Sequence, residues 1–163
     1  MQTFLPYGEQ HDANARALDY KRLGKQRVEG YQLLNANNVR SRGWRHHPAA
    51  RMWHKYDTAL VAYTLDMCER WTELGYKDSI ADKLAREYRG EVRLVLQGKW
   101  IDPWWIDHPI IHDIVLSHRS NLVRKLPEHY GPLWPDVPND LPYVWPGPLL
   151  PVEEYRKPKE QYQ

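Results

Sequence analysis

Three cations and a carboxylate sit close together near the start of this chain: Lys21, Arg22, Lys25 and Glu29. On a 100° helical wheel they share one face. Lysine and arginine neutralise phosphates. A carboxylate set among them can move a proton or stabilise a sugar cation. A plain solvated face would instead use Lys25 and Glu29 as an i,i+4 pair worth a few tenths of a kcal/mol. The surrounding charge favours the first reading. Residues 14–56 hold ten Lys and Arg against two acids, Asp19 and Glu29, a net +8 in a chain of net +2. From Gly30 to Tyr56 there is no acid at all, whereas an ordinary surface mixes signs. Arg40, Arg42, Arg45, His46, His47 and Arg51 lie in that stretch, with Trp44 and Trp53 between them. Alternating cations and aromatic rings suit a nucleic acid, through its phosphates and its exposed bases.

Other chemistries find less support. His108 and His112 stand at i,i+4, and His46 and His47 are adjacent, but no spacing marks a metal centre and the single Cys68 reads as a core residue. No metal or other cofactor is expected. No glycine-rich phosphate loop, G-x-S-x-G or H-E-x-x-H occurs. One further nucleophile is an N-terminal amine. An α-amine has a reference pKa of about 7.7–8.0, against about 10.4 for lysine, so more of it is unprotonated at neutral pH.

These groups need elements to position them. Pro6 and Gly8 make residues 1–11 extended. Asp12 or Asn14 caps a first helix running to about Leu34, with Tyr20, Leu23, Tyr31 and Leu34 on its apolar face. Asn35–His47 is a basic loop. Pro48 opens a second helix that reaches about Leu74, with Gly75 as its C-cap. A third runs from Asp78 or Ser79 to near Gln97. A tryptophan-rich connector leads to a fourth, from Asp107–Pro109 to just before Pro127. This last helix adds His118, Arg119, Arg124 and Lys125 in an acid-free stretch. Nine of the thirteen prolines lie from Pro127 onward, so the tail is irregular and extended, either wrapping the body or trailing from it. The fold class is all-α, in one domain of 1–135 with a Pro-rich tail of 136–163. One cysteine and no visible signal peptide or membrane-length apolar window suggest a cytoplasmic protein, and a monomer is expected.

Three segments resemble the pyrimidine-dimer DNA glycosylases with AP-lyase activity, the phage endonuclease V type: LDYKRLGKQRVEGYQLL, HPAARMWHKYDTALVAYTLDMCERWTELGYKDS and SHRSNLVRKLPEHYGPLWP. They occur in the family's order within residues 1–135. The motifs LGKQRVE, HP-x-x-RMW and SHRSNL are similar to an uncharacterised bacterial and phage branch. The resemblance implies a compact helical bundle into which the N-terminus inserts. Its α-amine attacks C1′ of the damaged nucleotide to form an imine. A glutamate on the first long helix assists, and arginines hold phosphates. Aligning that helix on its Arg-Val pair places Gly24 where the family has its glutamate. Glu29 or Asp19 takes the role instead, and Glu29 is preferred because it lies on the cationic face. Gln2 is bulky enough to favour retention of Met1, so the Met1 amine is the expected nucleophile.

On this reading the chain is a DNA glycosylase and AP lyase for a damaged or modified pyrimidine. Met1 and Glu29 are catalytic. Lys21, Arg22, Lys25, Arg42, Arg45, His47, Arg51, Arg119 and Arg124 contact DNA. Trp44 or Trp53 fills the space left by an extruded nucleotide. Two rival readings remain: a glycosylase for hypermodified bases that uses water as nucleophile, and a non-catalytic nucleic-acid binder of the same fold.

Overall fold

The computed structural model describes residues 1–41 and 43–147. Among them the chain is all-α. The helices are α1 (His11–Ala17), α2 (Tyr20–Asn37), α3 (Pro48–Met52), α4 (Asp57–Glu73), α5 (Ile80–Glu87), α6 (Arg89–Leu96), α7 (Ile110–Lys125) and α8 (Pro127–Tyr130), with a 3-10 turn at Trp104–Ile106. The α2–α4 pair forms the central layer, and α1, α5 and α6 pack against α4. Leu23, Leu33 and Leu34 of α2 meet Leu60, Tyr63 and Met67 of α4 in a fully buried core. The two helices approach closely at Gly30. A Cβ there would lie 2.2 Å from Thr64 Oγ1.

Three expected helices are each broken in two, and long-range contacts account for two of the breaks. The first breaks at Leu18–Asp19. Asp19 is extended (φ −66°, ψ 160°), its N–H donates to Tyr130 Oη at 2.9 Å, and its carboxylate pairs with Arg22 at 3.0 Å and accepts from the Tyr130 hydroxyl. The second breaks between Trp53 and Tyr56, where Lys55 takes a left-handed φ of 68°. The third breaks at Tyr88, whose ring is drawn into the core and whose hydroxyl donates to Asn35 Oδ1 at 2.8 Å. The fourth helix has the expected limits, and Gly75 follows α4 with a φ of +92°. Tyr20 is not on the apolar face. It is 53% exposed and stacks on Tyr76, which in turn stacks on Trp71.

The extended N-terminal segment is itself part of the core. Thr3, Phe4 and Leu5 are buried, and three helices supply the hydrogen bonds that their backbone would otherwise leave unmade. Phe4 N–H donates to Gln26 Oε1 of α2 at 2.9 Å, and the Phe4 carbonyl accepts from the Tyr63 hydroxyl of α4 at 2.9 Å. On α7, His118 Nδ1 accepts from Leu5 N–H at 2.9 Å, and Arg119 Nε donates to the Pro6 carbonyl at 2.8 Å.

Candidate active site

That threading carries Met1 to the wall of a pocket of about 410 Å³, lined by Met1, Gln2, Lys21, Arg22, Lys25, Gln26, Glu29, Lys125, Phe4 and Tyr143. The helical period of α2 sets Arg22, Lys25, Gln26 and Glu29 on one side. Lys125 arrives from the end of α7. Glu29 is tied to the N-terminal segment: its Oε2 accepts from the Gln2 backbone N–H at 3.3 Å and from Gln26 Nε2 at 3.2 Å. The Met1 amine is therefore one residue from the amide that Glu29 binds. Among the described residues, the ion pairs do not include Lys25–Glu29, so the i,i+4 surface pair is not what occupies this carboxylate.

Asp19 and Gly24, the other two positions weighed from the sequence, have different surroundings. Asp19 is committed to Tyr130 and Arg22. Burial raises its carboxyl, but those two partners outweigh burial and hold it below the usual carboxylate range. Gly24 faces Trp71, and a Cβ there would lie 3.0 Å from the indole ring, so a side chain at that position would press on Trp71.

The remaining expected contacts divide. His47 caps α3, its Nδ1 accepting from Ala49 N–H at 3.0 Å. Burial lowers its pKa, and the positive Met1 terminus lowers it further, which puts the two within electrostatic reach. Trp44 is half exposed, at a left-handed φ of 66°, with its ring edge-on to His47 at 5.5 Å. Arg45 donates to His46 Nε2 at 3.2 Å, and Arg51 is exposed on α3. Arg42 lies outside the described residues.

Three placements bear on the sequence reading. Trp53 is fully buried, donates to Thr3 Oγ1 at 2.9 Å and packs on Trp105 and Tyr63, so it presents no face to DNA. Arg119 holds the Pro6 carbonyl and lies over the Tyr7 and Trp134 rings at 5.1 and 5.3 Å. Arg124 donates to the Asn139 carbonyl at 2.8 Å and to Asn121. Both arginines therefore fasten chain segments. Burial pushes the Cys68 thiol up, consistent with a core residue.

Five pocket residues, Phe4 among them, were not chosen as site residues from the sequence. Gln26 lies three residues before Glu29, a spacing that could have placed it on the same face. Lys125 was visible only as part of a basic helix end. Gln2 and Tyr143 carried no local signal.

The described residues thus form a helical body with a cationic, carboxylate-bearing pocket beside Met1. The family model described as pyrimidine dimer DNA glycosylase matches residues 1–84, and the chain belongs to that family. Comparison with curated proteins and with solved structures finds no match. Membership makes DNA the substrate and glycosylase chemistry the class of activity. Among the described residues no helix is long and apolar enough to cross a membrane.

Proposed function

We propose that this chain excises a damaged or modified pyrimidine and then cleaves the abasic strand, with the Met1 α-amine as nucleophile and Glu29 as the carboxylate that handles protons. The observation that carries this reading is the Met1 end seated beside Glu29 in a cationic pocket, at the end of a buried N-terminal segment.

Lys21, Arg22, Lys25 and Lys125 neutralise the phosphates around the target nucleotide. The unprotonated amine attacks C1′. The C1′–N glycosidic bond breaks, and its electron pair leaves with the base, which takes up a proton. The nitrogen gives up a proton, O4′ is protonated, and the C1′–O4′ bond opens to leave a C1′=N iminium. Glu29 stabilises the developing positive charge and relays these protons. Loss of a C2′ proton from the iminium then expels the 3′ phosphate. Trp44, on the exposed loop beside His47, fills the gap left by the extruded nucleotide.

Borohydride reduction on duplex DNA with one abasic site tests the proposal, because only an imine becomes a stable covalent link. The native N-terminus is expected to trap, and a chain extended by a few residues before Met1 is expected not to, whereas a C-terminal tag has no effect. Full trapping by the extended chain moves the nucleophile to Lys21 or Lys25. Absence of trapping in every form leaves water as nucleophile, or a protein that only binds.

A further inference from the structure

One face of α7 has an unusual composition. Ser117, Ser120 and Asn121 are almost fully buried, and Arg124 continues the same i, i+3, i+4 stripe. Buried polar side chains are unfavourable unless they are hydrogen-bonded. Here their partners are backbone groups of the C-terminal segment. Arg124 donates to the Asn139 carbonyl at 2.8 Å and Asn121 Nδ2 to the Leu141 carbonyl at 3.1 Å. The Leu141 N–H donates to Ser120 Oγ at 3.0 Å and the Val144 N–H to Ser117 Oγ at 3.1 Å. Four bonds spread over residues 139–144 fasten an extended strap along α7.

The strap delivers two aromatic rings to the candidate site. Tyr143 lines the pocket itself. Its ring is flanked by Phe4 at 6.4 Å, His118 at 5.9 Å and Trp145 at 5.8 Å. Trp145 in turn meets His47 edge-on at 5.8 Å, which joins the strap to the basic loop. The other lining groups of the pocket are mostly charged or amide-bearing and suit phosphate and sugar. An extruded base needs an apolar or aromatic surface as well. Phe4 is too deeply buried to offer much, at 5% exposure, whereas Tyr143 is half-buried.

We propose that Tyr143 is the stacking wall for the base of the extruded pyrimidine nucleotide, and that the strap is a specificity element held in place by the polar stripe of α7. This rests on the proposed glycosylase site, and its test is separable from that of the amine. The strap also lies outside residues 1–84, the part of the chain that matches the family.

The test compares Tyr143→Phe, Tyr143→Leu and Tyr143→Ala on two duplexes. One carries a fluorescent pyrimidine analogue, pyrrolocytosine, at a mismatched site. The other carries a tetrahydrofuran abasic analogue at the same position. Tyr143→Phe is expected to match the parent on both. Tyr143→Leu, which fills the space without a π face, and Tyr143→Ala are each expected to weaken binding of the base-bearing duplex about tenfold, the size of one base–aromatic stack, and to remove the fluorescence quenching. Their affinity for the tetrahydrofuran duplex should stay within about twofold of the parent. Equal weakening on both duplexes would make Tyr143 a support of the fold and overturn the proposal, as would unchanged binding of the base-bearing duplex. If the parent fails to trap, the amine reading falls, and the two binding curves still decide the role of Tyr143.

Discussion

Gln26 and Glu29 share one hydrogen bond and one stretch of chain. Gln26 Nε2 donates to Glu29 Oε2 at 3.2 Å and to the Gln2 carbonyl at 2.9 Å, while Gln26 Oε1 accepts from the Phe4 N–H at 2.9 Å. A single amide thus fixes both the carboxylate and the segment that ends in the Met1 amine. Gln26→Ala is expected to slow borohydride trapping on abasic DNA about a hundredfold, because small misplacements of reacting groups carry penalties of that size. It should also lower stability by about 1–3 kcal/mol, since buried backbone groups lose their partners. DNA affinity should change little. Single-turnover trapping and urea unfolding measure the two effects. Unaltered trapping at reduced stability would confine Gln26 to a structural role.

Glu29→Gln removes the charge while keeping the shape. The Gln2 N–H can still find an acceptor, so the fold should hold. If Glu29 handles protons, the chemical step should slow by about 10²–10⁴. DNA affinity should hold or rise, because a negative charge has left a pocket that binds phosphates. Single-turnover rates and equilibrium binding measured together decide the point, and a normal rate would move proton handling to another group.

Much of the site was legible because its residues share one helix. The period of 3.6 puts Lys21, Arg22, Lys25 and Glu29 on a face from sequence alone. The helix breaks were harder to read. The Asp19 break is set by Tyr130, 111 residues away, and Tyr88 is held by Asn35, 53 residues away. Local pattern carries no trace of such partners. Trp53 was read from its basic neighbours as a ring for DNA, yet it lies in the core against Thr3 and Trp105 and not in solvent. Arg119 and Arg124 show the limit of reading charge as function. Both lie on a basic helix, yet each holds a backbone carbonyl. The strap was unreadable for the same reason: its register depends on side chains of α7 that lie fifteen to twenty-seven residues away in sequence.

Stability should depend on pH through two buried histidines. Burial lowers His118 to about 3 and His11 to about 4 from the ordinary 6.5. Both folded values lie below the unfolded one, so the unfolded chain binds the extra protons. Their contribution is complete above pH 6.5 and is lost as pH falls toward 4 and then 3. Asp66 acts in the opposite sense. Burial, with Glu69 and Asp12 nearby, raises it to about 6 from 3.8, so it offsets part of the loss in that interval. His118→Asn keeps an acceptor available for the Leu5 N–H and removes one titrating group. It is expected to flatten the acid arm of stability by up to about 1.4 kcal/mol per pH unit. Urea midpoints between pH 7 and 4 measure it, and an unchanged slope would show that His118 is not neutral and buried in solution.

Salt dependence should separate the cations that face DNA from those that fasten the chain. Lys25 and Lys125 line the pocket and are exposed. If each neutralises a phosphate, replacing either with Ala should make the slope of log affinity against log salt shallower by about 0.9 and weaken all sequences alike. Arg119 has the same charge, but its Nε is spent on the Pro6 carbonyl and its guanidinium lies over Tyr7 and Trp134. Arg119→Ala should therefore leave the salt slope unchanged and lower the melting temperature, because the Pro6 carbonyl loses its donor and the two rings lose their cation. Binding titrations at four or more salt concentrations, paired with thermal melts, distinguish the two groups. A shallower slope for Arg119→Ala with no loss of stability would return that arginine to the DNA interface, and an unchanged slope for both lysine variants would take the phosphates out of this pocket.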